Sequence, residues 1–393
     1  MGASPRTSRV RNANLRCEPL FAQENARFAV ILRCCVGRRS RFAVGRDSQW
    51  EEIRSGKRFA VGRDSQWEES KVVDGRKGLG VGMEVREITE GFGSIMVLVP
   101  HEDDEILMCA GIMENAVKHG VELTVVMATN GDYGSSDGAD GRARLRETLA
   151  GLKVLGVPED RAVFLGYADT GMPEEDSFLF GLYHEADGEK VHPSHCGVST
   201  YGLPEKEEFH KENYGEHGRY TRNGFRGDLK EVITKYRPRH IFTTAEEDTH
   251  GDHSGLFLFV RDVLEECEGE GYRPKLYCGI VHSRAGDENW PRRGTEMPVF
   301  DSPEVLADGM GGEKSPDGKA DKVLGNLKWE NRIVFPVPDS MRGKPLDENK
   351  KAAALAKHVT ALKPDAVDFL YAFVKEEEIF WEIEEMRESD ERQ

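Results

Sequence analysis

No apolar run in the 393-residue sequence approaches the roughly 18–20 residues that a membrane-crossing helix needs, and mean hydropathy is −0.58. No Cys-x-x-Cys pair occurs among the seven cysteines, at 17, 34, 35, 109, 196, 267 and 278. Their odd number and scattered spacing argue against a zinc–thiolate knuckle and a disulfide framework, and for reduced thiols in a cytoplasmic chain. No Gly-x-Gly-x-x-Gly follows the first apolar strand, so a nicotinamide dehydrogenase is not expected. Gly78-Leu-Gly-Val-Gly82 precedes that strand and reads as linker. Basic residues are scarce after position 82, where 37 Lys+Arg face 62 Asp+Glu. An acidic body argues against nucleic acid or anionic lipid as a partner.

The first 82 residues differ from the rest. They hold 17 Lys+Arg against 9 Asp+Glu, within a chain whose overall net charge is −17. The stretch Arg41-Phe-Ala-Val-Gly-Arg-Asp-Ser-Gln-Trp-Glu-Glu52 recurs identically at 58–69. Two copies are too few for a solenoid. Residues 1–82 are expected to be a disordered extension with an internal duplication, and Met83 is an alternative start. Organelle targeting by the Arg-rich beginning is the minor alternative to a cytoplasmic location. The domain proper is expected over 83–393.

From residue 94 the apolar pattern alternates between strand and helix. Strands are expected at 94–99, 122–129, 162–165, 240–244 and 275–281, with another near 332–335. Helices are expected at 104–119, 142–155, 226–236 and 252–267, and near 347–362 and 366–386. Residues 170–223 read as a long insertion over one rim of the sheet. This order implies an α/β fold: a Rossmann-like, mostly parallel sheet with helices on both faces.

In such a sheet the strands end on one side, and ligands bind there. The expected strand 94–99 runs into Pro100-His-Glu-Asp-Asp-Glu105, and strand 240–244 leads to His250-Gly-Asp-His253. A helix N-terminus favours the carboxylates of the first cluster but leaves His101 unexplained. A divalent metal accounts for both. At i, i+3 spacing, His101 with Asp104 and His250 with His253 can each converge across a turn. Two histidines and one carboxylate with an open position form the layout of a catalytic zinc site, which leaves Asp103 free to act on the metal's water. A non-haem iron facial triad has the same donors, and a non-catalytic binding protein with a relict site is the third reading. The β/α alternation weighs against the iron triad, and the presence of a full two-histidine, one-carboxylate donor set together with Asp103 and His250 weighs against the relict.

The two motifs resemble the His-Pro-Asp-Asp-Glu and His-Pro-Asp-His signatures of the LmbE-like, PIG-L-type zinc N-deacetylases. Arg144 with Glu147, Leu155-Gly156-Val157 and the late Lys351…His358 segment resemble further parts of that family. The resemblance implies that His101, Asp104 and His253 bind Zn2+ and that Asp103 is the general base. It implies that His250 stabilises the oxyanion or protonates the leaving amine, that Asp252 orients His250, and that Arg144 contacts substrate. It implies removal of an acetyl group from a small N-acetyl sugar or glycoconjugate. Glu102 and Gly251 stand where the family has proline, and at Glu102 only the backbone shape is expected to matter.

Outside the motifs, Asp132 follows the second strand and is expected to reach the pocket as a substrate contact. His192, His195, His210 and His217 are expected on the surface of the insertion. His282 is a candidate pocket wall, and Cys109 a core residue. Phe369, Phe373 and Phe380 are expected to form one face of the last helix.

Overall fold

A computed structural model describes residues 83–293, 298–304 and 323–384. The duplicated N-terminal stretch and the acidic end of the chain lie outside these residues. Among the described residues eight strands form one sheet: β1 (Glu84–Val85), β2 (Ile95–Val99), β3 (Leu123–Thr129), β4 (Ala162–Tyr167), β5 (His240–Thr244), β6 (Lys275–Gly279), β7 (Ile333–Pro336) and β8 (Glu377–Ile383). Their order is β1-β7-β8-β6-β5-β2-β3-β4. All pairings are parallel except those of β8 with β6 and β7. The central strands are runs such as Ile-Met-Val-Leu-Val, buried at every position, as expected of parallel strands covered on both faces.

The long helices are α1 (Asp104–Lys118), α2 (Ala139–Leu155), α5 (Arg222–Tyr236) and α6 (Gly251–Gly269). Short ones are α3 (Phe178–Tyr183), α4 (Phe209–Tyr214), α7 (Lys350–Leu355) and α8 (Val367–Ala372). From β2 the chain steps outward through α1, β3, α2 and β4. It then returns to the other side of β2 and steps away through β5, α6 and β6. Right-handed crossovers in opposite directions put α1 and α2 on one face and α6 on the other. The reversal lies between β2 and β5, whose neighbouring strands register Ile95 against His240. A ligand crevice forms at such a switch point, beyond the strand C-termini.

The end of the chain departs from expectation. Residues 366–386 do not form one helix, because α8 stops at Ala372 and Glu377–Ile383 enters the sheet as β8. A short apolar run suits either structure. The gap between β6 and β7 decides it, and Phe380 therefore lies on a strand, apart from Phe369 and Phe373. Likewise only Lys350–Leu355 is helical within 347–362. The insertion carries buried apolar residues of its own: Phe178, Leu179, Leu182, Leu203, Phe209 and Tyr220.

Gly251 and Gly255 make that packing possible. A Cβ at Gly251 would stand 2.5 Å from Ser177 Cβ, and one at Gly255 would stand 2.6 Å from the Phe180 nitrogen. The Gly251 N–H also donates to Met172 O at 2.8 Å, a bond that proline could not make. The insertion thus explains why glycine occupies this motif position.

A buried ion pair ties the late elements to α1. Lys351 Nζ donates to Leu107 O at 2.8 Å and lies 3.0 Å from Glu378 Oε1. Glu378 in turn accepts the N–H groups of Gly111 and Ile112 at 2.8 and 3.0 Å. Lys351→Met would strand a buried carboxylate. It is expected to destabilise the fold by about 3–5 kcal/mol, measurable as a shifted urea midpoint with an unchanged slope.

Candidate active site

His101 and Asp104 come from the turn after β2, and His253 from the first turn of α6. Their inward atoms form a small triangle. His101 Nδ1 lies 3.2 Å from His253 Nε2 and 3.4 Å from Asp104 Oδ2, and His253 Nε2 lies 3.3 Å from the same oxygen. The outer ring nitrogens are held by carboxylates. Asp252 Oδ2 is 3.2 Å from His101 Nε2, and Asp248 Oδ2 is 3.1 Å from His253 Nδ1. In the neutral rings each outer nitrogen therefore carries the proton, and each inner nitrogen presents a lone pair. Three acceptors facing one another in a buried site require a cation. Four donors about 2.0–2.1 Å from a tetrahedral zinc have edges of about 3.3–3.4 Å, so the triangle fits that ion. Carboxylates holding the far ring nitrogens are the usual support of histidine ligands.

The electrostatics agree with this fit. Against burial, which lowers it, Asp104 and Asp248 push the His253 imidazole up to about 10. Asp104 and Asp252 likewise raise His101 against its burial. In the metal-free protein, protons gather where the triangle demands positive charge, and a bound metal would displace them. His250 behaves oppositely. Burial, then the neighbouring rings of His101, His253 and His282, hold it well below its usual range and neutral. Its Nδ1 accepts the Asp252 N–H at 3.2 Å, which leaves Nε2 as the protonated nitrogen.

Asp103 lines the cavity beside His101, Asp104 and His250. Its φ is +128°, in the region that favours glycine, at a cost on the order of 1–3 kcal/mol. Burial pushes its carboxyl up to about 6, against the pull of Arg144. Its side chain makes no capping bond to α1.

The remaining expectations divide. Arg144 lines the cavity but is already engaged: it donates to Glu102 O at 2.7 Å and Gly131 O at 3.2 Å, and lies 3.7 Å from Asp103 Oδ1. Asp132 does not reach the pocket surface. It is fully buried, and its carboxylate accepts the Asp169 N–H and the Tyr201 hydroxyl at 3.0 and 2.8 Å. The Asp252 carboxylate holds His101 and the Leu179 N–H, whereas the residue's bond to His250 is donated by its backbone N–H. At Glu102 the side chain matters too. It is fully buried 3.4 Å from Arg144 Nε, and burial pushes it up to about 8. The four insertion histidines each meet an acceptor, and His192 and His210 are half-buried. His282 does line the cavity, and Cys109 is buried in the core.

Sequence reasoning missed Asp248, Asp169 and the wall formed by Thr360 and Lys363. Asp169 follows β4, 4.0 Å from His101 Nε2, and its place after a strand was the available signal. The cavity over the triangle has a volume of about 370 Å³. A cleft of about 980 Å³ shares its Arg144, Asp169, Met172, His250, Thr360 and Lys363 walls and extends past Tyr133 and Pro173.

Comparison with known proteins gives one family. Residues 96–264 match the PIG-L model, described as GlcNAc-PI de-N-acetylase. No curated protein matches the chain. Among solved structures, the N,N'-diacetylchitobiose deacetylase from Pyrococcus horikoshii is 15% identical, over 74% of this chain and 83% of its own, with a TM-score of 0.36. A deacetylase of the teicoplanin biosynthesis pathway is 14% identical, over 76% of this chain and all of its own, with a TM-score of 0.41. Both motifs lie inside residues 96–264, the segment that matches the PIG-L family model.

Proposed function

We propose that this chain is a zinc-dependent hydrolase that removes the acetyl group from an N-acetylated amino sugar or glycoconjugate. The observation that carries this reading is the triangle of three inward-facing acceptors opening onto a cavity lined by Asp103 and His250. The family description, a de-N-acetylase of a GlcNAc compound, supports the substrate class. His101, Asp104 and His253 would hold the ion. When bound, it supplies Lewis acidity and lowers the pKa of a coordinated water to about 7.

The chain's own residues do the rest. Asp103 takes a proton from water as that water's oxygen attacks the amide carbonyl carbon. The neutral His250 donates its Nε2–H toward the carbonyl oxygen as negative charge develops there. Asp103 returns the proton to the nitrogen as the C–N bond breaks, giving acetic acid and the amine, which part as acetate and the protonated amine. Asp252 and Asp248 keep the two histidine ligands in the required tautomers. Glu102 and the backbone hold Arg144 beside Asp103, where it faces bound substrate. The wide cleft beyond Met172 suits an aglycone or a second sugar.

The test is amine release from a panel of N-acetylglucosamine conjugates. Release that a chelator abolishes and added zinc restores is the expected result. No release from any conjugate by zinc-loaded protein would sink the reading, and oxygen-dependent turnover with iron(II) would replace it.

A further inference from the structure

We infer that Glu105 and His358 form a clamp that holds Asp103 in its left-handed backbone conformation, making both of them positioning residues for the proposed hydrolysis. The catalytic half of this inference rests on the deacetylase reading.

Asp103 cannot keep a φ of +128° without support. Glu105, two residues on and fully buried, turns its carboxylate back along the chain, and its Oε2 accepts the Asp103 N–H at 2.9 Å. On the other side of the residue, Asp103 O accepts the N–H groups of Ile106 and Leu107, both at 2.9 Å. Both peptide groups flanking the strained bond are therefore fixed. The second carboxylate oxygen, Glu105 Oε1, has no hydrogen-bond partner among the described residues and lies 3.3 Å from His358 Nε2. His358 is itself 1% exposed, and neither ring nitrogen has a hydrogen-bond partner among those residues.

His358 arrives from beyond the family-matched segment, and its approach is prepared. Gly151 of α2 leaves room for it, since a Cβ there would stand 2.9 Å from His358 Nε2. Glu147, on the same helix, grips the next turn through the Thr360 N–H at 3.1 Å and the Thr360 hydroxyl at 2.6 Å. A buried carboxylate–histidine contact is weak as a stabilising device. A carboxylate near the start of α1 would satisfy the helix dipole in any orientation. Neither role requires Glu105 to reach backward to the one strained peptide beside the cavity.

The experiment compares Glu105→Ala, Glu105→Gln and His358→Gln with the parent. Hydrogen exchange of peptides spanning 100–106 is read by mass spectrometry on metal-free protein, and zinc content, kcat and KM on zinc-loaded protein. In Glu105→Ala, exchange in this segment is expected to rise about tenfold with the rest of the chain unchanged. The kcat is expected to fall about 10–100-fold, with KM and zinc stoichiometry retained. Glu105→Gln keeps an acceptor for the Asp103 N–H and should restore most of both, and His358→Gln should reproduce the loss in weaker form. Unchanged exchange at 100–106, a kcat loss that tracks zinc loss, or no restoration by glutamine would overturn the clamp. If Glu105→Ala does not fold, His358→Gln decides by the same readouts. Exchange needs neither metal nor substrate, so a parent without deacetylase activity would refute the proposed function while the exchange result still judged the clamp.

Discussion

Asp103→Asn is expected to keep its zinc and lose turnover by about 10²–10⁴-fold, the usual contribution of a general base. Asparagine is the informative replacement because it tolerates left-handed backbone nearly as well as aspartate. It preserves shape and hydrogen-bonding reach while losing the capacity to take a proton. Asp104, not Asp103, contributes to the donor triangle, so metal binding should survive. A helix-capping role offers no competing account, since the Asp103 side chain makes no capping bond. The measurement is metal content beside steady-state kinetics on a conjugate that the parent hydrolyses. Turnover equal to the parent's would remove Asp103 from the chemistry.

The second large effect is on the metal itself. His253→Ala should purify with little or no zinc and remain folded. Its Nε2 forms two of the three triangle edges, and two remaining donors cannot make a catalytic zinc site. The fold should persist because α6 is anchored by Leu256, Phe257, Phe259, Val260, Val263 and Leu264, all buried. Asp248 also keeps partners, the N–H groups of His250, Val281 and His282 at 3.0, 2.7 and 3.1 Å. Asp248→Asn should weaken zinc affinity by about 10–100-fold without abolishing it, as expected for a group that only orients a ligand. Full zinc occupancy in His253→Ala, measured by atomic emission on dialysed protein, would refute the ligand set.

Most of the sheet was legible because its signals are local. Five buried residues of strand type followed by apolar positions at helical spacing mark β2 and α1 wherever they end up in space. Boundaries moved by a few residues, as at α2, which begins at Ala139 rather than 142. The failures lie where local signals conflict or fall silent. The stretch 377–383, with Ile379, Phe380, Trp381 and Ile383 among glutamates, suits helix or strand, and the gap between β6 and β7 chooses. The insertion has weak periodicity because its buried residues are spread over short helices and turns.

The sequence alone determined that two polar clusters follow two strands of one parallel sheet, and hence that they lie on the same rim. Strand direction and the handedness of crossovers are general properties of L-amino-acid chains, so that inference needs no coordinates. Partnership between side chains was decided only by the tertiary structure. Asp252 was expected to orient His250 but holds His101, because the switch point sets β2 directly beside β5. Asp132 lies behind the pocket, held by Tyr201 from the insertion. His358 reaches Glu105 from 253 residues further along the chain. Spacing in sequence fixes which way a side chain leaves its own helix or strand, whereas the partner it meets depends on how distant elements pack against each other.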